Sequence, residues 1–154
     1  MEFELLRFGE NNNSVNGVLL RDNCVYAYTL QLGGNEAPTG RHKVVIDRTI
    51  QTTNRHHEKS AHLDTQYYSR IGQKKRMKHG CLLVKTGGLK RVLICAASHP
   101  EDAGDDIAVG NKAVQNQTKP GALSGSLEAY QRLYLDVLDA TQKGKDVYLT
   151  IKDY

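Results

Sequence analysis

Residues 2–30, EFELLRFGENNNSVNGVLLRDNCVYAYTL, hold three short runs of aromatic and branched side chains cut by two polar turns. The runs are 2–8, Val15–Leu20 and Cys24–Leu30, and the cuts carry Gly-Glu-Asn-Asn-Asn and Arg-Asp-Asn. Asn, Asp and Gly tolerate the backbone angles of tight turns that branched residues avoid, so the stretch reads as a three-strand meander. Everything downstream has to extend or cover that sheet. Pro38 and Gly40 set a turn before Arg41–Asp47, RHKVVID, where Val44, Val45 and Ile46 supply a fourth strand. Cys81–Val84 and Arg91–Ala96 read as two more strands around Thr86-Gly87-Gly88, and Val147–Ile151 alternates as a closing one.

Ser126–Gln142 has a different period. Leu127, Tyr130, Leu133, Tyr134, Val137 and Leu138 recur at helical spacing, with Ser124 or Ser126 available as N-cap and Gly144 just past the end. The expected architecture is mostly β (α+β): a compact mixed sheet or barrel-like domain with one long helix near the C-terminus. A chain of 154 residues, 39% hydrophobic, suits residues 1–154 as a single domain. Two stretches resist assignment. Residues 48–78 read as a long polar loop or insertion with only Leu63, Tyr67, Tyr68, Ile71 and Met77 to bury, and 97–122 as a second irregular segment.

Composition excludes several classes. A formal charge of +4, from 21 basic and 17 acidic residues, is well short of the concentrated footprint of a nucleic-acid binder, which leaves a nucleic-acid or acidic-surface binder through residues 74–78 as a minor alternative. Three cysteines, Cys24, Cys81 and Cys95, form neither a paired framework nor a C-x-x-C motif. No apolar run approaches the ~20 residues of a membrane span, and MEFELLRFGENNN lacks the basic-then-apolar order of a secretory signal. The expectation is a chain that is cytoplasmic as synthesised and makes no membrane contact.

Chemistry-bearing residues are few. Lys78–Val84, KHGCLLV, contains the His-Gly-Cys core of the L,D-transpeptidase nucleophile motif, and on a strand His79 and Cys81 would share a face. The apolar run after Cys81 favours a core strand over a nucleophile. Cys95 lies near His99 and the acidic run Glu101, Asp102, Asp105 and Asp106, whose carboxylates would raise a thiol pKa. That run lacks the spacing of a calcium loop, and His56, His57 and His62 lack an H-E-x-x-H pattern, so neither a metal nor a cofactor is expected. Lys74, Lys75, Arg76 and Lys78 form a basic patch beside Tyr67, Tyr68 and Ile71. The aromatic and aliphatic groups would anchor a protein partner or a second copy of the chain, with the lysines steering the approach.

Taken in order, ELLRFG, YTLQ, APTGRHKVVID, PEDAGDDIAVGN and LSGSLEAYQRLY give the chain an end-to-end resemblance to a family of small bacterial and phage domains of unknown function. That family is itself similar to the L,D-transpeptidase catalytic fold. Its Ile-His-x-Gly-Asn-x-x-x-Asp-x-x-Gly-Cys-Ile pattern falls on Ile94–Ile107, which puts Cys95 at the His position and Asp106 at the Cys position, with Asp102 retained. The resemblance therefore implies a transpeptidase-like domain without its acyl-transfer pair. It would act as a structural or binding component, for instance in a phage particle or a phage-derived injection apparatus. The alternative is a peptidoglycan-directed hydrolase or transpeptidase using Cys81 with His79, or a rebuilt site of Cys95, His99 and Asp106.

Overall fold

A computed structural model describes residues 1–50, 63–72 and 79–154. His56, His57, His62, Lys74, Lys75, Arg76 and Lys78 lie outside the described residues. The elements are β1 (Glu2–Arg7), β2 (Ser14–Arg21), β3 (Cys24–Leu32), β4 (Gly40–Asp47), α1 (Leu63–Arg70), β5 (Cys81–Lys85), β6 (Val92–Ala96), α2 (Pro100–Ala103), β7 (Ile107–Gly110), β8 (Lys112–Val114), β9 (Ala122–Ser124), α3 (Ser126–Gln142) and β10 (Val147–Asp153). Eight strands close into a barrel in the order β1-β10-β4-β5-β6-β7-β3-β2, with β8 and β9 as a separate hairpin. The chain is thus mostly β with one long helix near its C-terminus. No helix among the described residues is long and apolar enough to cross a membrane.

The meander forms because its turns can adopt left-handed angles. Asp22 and Asn23 both have positive φ, 53° and 61°, the arrangement of a two-residue hairpin whose twist matches the flanking strands. Six of the eight barrel ladders are antiparallel, while β1 with β10 and β6 with β7 run parallel.

One apolar cluster takes residues from all eight barrel strands and from α3, including Leu5, Leu19, Ala27, Val44, Leu82, Ile94, Val109 and Leu149 around Tyr130, Leu133, Tyr134, Val137 and Leu138. The helix stripe legible in the sequence is the filling of the barrel. A smaller cluster on the other face of β3, β6 and β7 joins Leu30, Cys95, Ala97, Ala103, Ala108 and Leu123, so α2 and β9 cover that side.

Two expectations change and one gains detail. Residues 97–122 contain β7, the strand that joins β6 to β3; all four of its residues are buried, so it shows no alternation to detect. Within the loop or insertion at 48–78, residues Leu63–Arg70 form α1, which packs Leu63, Tyr67 and Tyr68 into the main core. Their i, i+4, i+5 spacing is a helical face that a count of apolar residues misses. Neither serine caps α3: Gly125, at φ 63°, occupies the cap position, and Ser126 is the first helical residue.

Ser126 is used differently. Its Oγ accepts the Ala97 N–H at 2.9 Å and donates to the Val109 carbonyl at 2.5 Å, which joins the ends of β6 and β7 to the start of α3. Both backbone groups are buried and would lose a partner together. Ser126→Ala is expected to lower stability by about 1–3 kcal/mol in urea unfolding. An unchanged midpoint would show that the seam holds without the hydroxyl.

Candidate functional site

The positions that the resemblance assigns to a catalytic pair are taken up by packing. Cys95 has no exposed surface and sits among Leu30, Ala97, Ala103, Ala108 and Leu123, not at the mouth of a pocket. Burial, reinforced by the charges of Asp106 and Asp102, pushes its thiol far above the ordinary cysteine range. Asp106 accepts the Leu93 N–H at 2.9 Å, and burial raises its carboxyl pKa against the opposing pull of that bond and of Arg91. His99 is exposed and leads into α2 with an extended backbone, its side chain capping nothing there. These groups lack a thiolate that could attack.

Around Cys81 the structure builds something more connected. The Tyr134 hydroxyl accepts the Gly80 N–H at 3.2 Å and donates to Asp64 Oδ1 at 3.0 Å. Arg48 Nη2 reaches the same oxygen at 3.1 Å. His79 stacks on the Tyr134 ring, centroids 4.5 Å apart, with Tyr130 beyond it at 6.3 Å. Gly80 fits because of close approach: a Cβ there would stand 2.5 Å from Ile46 Cγ2. The His-Gly-Cys triplet therefore has a structural explanation for its middle residue, and Cys81 is 3% exposed with its Sγ 4.0 Å from the Ile50 carbonyl.

Asp64 is the unusual member, a carboxylate with no exposed surface. Burial raises its pKa, while Arg48 and the Tyr134 hydroxyl act to lower it. Tyr134 is itself pushed above the ordinary phenol range, mainly by burial, so it stays a neutral donor to Asp64. Asp64 Oδ2 has no hydrogen-bond partner among the described residues. Sequence reasoning missed Asp64 and Arg48, although Asp64 adjoins Leu63 on the buried side of α1.

The expected anchors of a partner divide. Tyr67 and Tyr68 are buried, edge to face at 5.4 Å, and their hydroxyls meet α3, with Asp139 Oδ1 at 3.4 Å and Gln142 Nε2 at 2.9 Å. They hold α1 to α3 and do not form a docking face on this chain. Ile71 is exposed. No group of three or more His, Cys, Asp or Glu among the described residues is placed to hold a metal.

A second polar cluster, unanticipated from the sequence, lies where β1 and β10 end. Arg7 continues the inward face of Phe3 and Leu5, a signal that strict alternation in EFELLR would have given. It is buried; Nε pairs with Asp153 at 2.8 Å, and Nη1 donates to the Ala37 carbonyl and lies 3.5 Å from Gln31 Oε1. Beside it opens a cavity of about 540 Å³ reaching Glu10, Glu36 and the exposed rings of Phe8 and Tyr154.

No family model, curated protein or solved structure matches this chain.

The Asp64 network gives a pH test. Because folding raises the Asp64 pKa, the native state favours the protonated acid. Its contribution is present below the ordinary Asp value of about 3.9 and declines as pH rises through the folded value. The unfolding free energy of the wild type minus that of Asp64→Asn should therefore fall as pH rises above the ordinary Asp value of about 3.9. A difference that stays flat or rises would show that Arg48 and Tyr134 outweigh burial.

Proposed function

We propose that this chain is a catalytically silent transpeptidase-like domain that works as a structural or binding component, in a setting such as a phage particle or a phage-derived injection apparatus. The observation that carries the reading is Cys95. A cysteine nucleophile needs its thiolate, hence a lowered pKa and access to substrate. Cys95 has neither, and Asp106, at the position where the resemblance expects the nucleophile, is engaged by the Leu93 N–H. The rest of the molecule is built for rigidity: a closed barrel with no free edge, filled by a helix. Such a scaffold presents fixed surfaces, which suits assembly. The phage setting comes from where members of the family it resembles tend to be encoded, not from any residue of this chain.

The rival reading places acyl transfer at Cys81 and His79. The two separate by labelling. Brief treatment of the native protein with N-ethylmaleimide near neutral pH, followed by peptide mass spectrometry, should modify the exposed Cys24 and leave Cys81 and Cys95 until the chain is unfolded. Purified peptidoglycan incubated with the protein should yield an unchanged muropeptide profile. Labelling of Cys81 faster than Cys24, or new muropeptides lost in Cys81→Ser, would overturn silence and install the rival.

A further inference from the structure

We propose that the cavity at the end of β1 and β10 is a docking groove for an extended segment of a partner protein that carries a lysine or arginine side chain. The inference rests on the binding reading above and names the chemistry of what is bound. Four observations converge on it. The lining carries three carboxylates, Glu10, Glu36 and Asp153, against one guanidinium, Arg7, in a chain whose overall charge is positive. Asp153 is committed to Arg7, whereas Glu10 and Glu36 make no ion pair among the described residues.

Next to those carboxylates stand two aromatic rings with no burial reason to be there. Phe8 is 42% and Tyr154 94% exposed, edge to face at 6.0 Å. Exposed rings beside unpaired carboxylates are the surroundings that a basic side chain favours, through charge attraction and through its contact with the ring face. The floor is rigid: Arg7 is tied to Asp153 on β10 and to the Ala37 carbonyl, and Tyr154 N–H donates to the Arg7 carbonyl at 2.8 Å. A preformed site avoids the ordering cost that weakens short peptides.

The fourth observation favours a peptide over a free amine. On the far side of Phe8 a second cavity of about 410 Å³ has among its lining residues Asn16, Tyr28, Asn111, Gln115 and the single cation Lys112. Side-chain amides and a phenol offer both donors and acceptors, which a peptide backbone can satisfy and an isolated cation cannot. One depression thus takes the charge and its neighbour the chain, with Phe8 as the ridge between them.

The test uses the full-length 15N-labelled protein titrated with acetyl-Gly-Gly-Lys-Gly-Gly-amide, with the norleucine peptide of the same length and with n-butylamine. The lysine peptide should shift the amides of Gly9, Glu10, Glu36 and Thr39 and those of Asn16 and Lys112 saturably, and more salt should weaken it. The norleucine peptide should bind roughly threefold to tenfold more weakly. Butylamine should move only the first group of amides. The Glu10→Gln, Glu36→Gln double variant, both positions being off the packed core, should lose the preference for lysine while keeping its fold by the remaining amide spectrum. Equal binding of the lysine and norleucine peptides, shifts located elsewhere, or an unaltered preference in the double variant would overturn the proposal. Butylamine binding as tightly as the lysine peptide would assign the groove to small amines and overturn the peptide. A protein that remodels peptidoglycan yet passes this titration loses its silence and keeps its groove.

Discussion

A sheet that closes on itself has no edge to extend and must fill the space it encloses, and in this molecule that constraint falls on α3. Tyr130, Leu133, Tyr134, Val137 and Leu138 belong to one apolar cluster with inward residues of every barrel strand. Filling with aromatic side chains imposes a condition of its own, because a buried phenol needs a hydrogen-bond partner. Tyr134 finds two, the Gly80 N–H and the Asp64 carboxylate, and the second brings in α1 and Arg48. The polar network around His79 and Cys81 follows from the way the barrel is filled.

What the sequence disclosed and what it hid divide along periodicity. Strands with one face inside, such as β1 with Phe3 and Leu5, and the helix stripe from Leu127 to Leu138 announce themselves because burial alternates with exposure. β7 has both faces covered, Ile107 and Val109 by the main core and Ala108 by α2 and β9, so its four residues carry no period. The same limit hid the site. Asp64 and Arg7 are charged residues at inward positions, and composition counts them as surface. Only their register, Arg7 two residues beyond Leu5 and Asp64 beside Leu63, marks them as buried.

The three thiols illustrate how strongly position governs reactivity. Cys24 opens β3 at the surface, Cys81 lies at the start of β5 under cover, and Cys95 sits in an apolar layer facing away from α3. Identical side chains thereby range from accessible to inert. Cys95 lies among Leu30, Ala97, Ala103, Ala108 and Leu123, and this packing explains why that position takes a small apolar group. An imidazole there would have to fit against Ala97, Ala103 and Ala108 in a layer with no exposed surface.

The parallel pairing of β1 with β10 has a consequence for how the molecule is made. The amino group of Met1 donates to the Asp146 carbonyl across 145 residues of sequence, and Tyr148 N–H donates to Met1. Neither strand can complete its ladder until the other exists, so β1 stays unpaired on one side until β10 has been made. Long-range pairing of this kind slows folding and leaves β1 available to wrong partners in the interval. Glu2 and Glu4 on that strand give it negative charge while it waits, which discourages two nascent copies from joining along it. Closure of the barrel therefore comes only with β10, which joins β1 to β4.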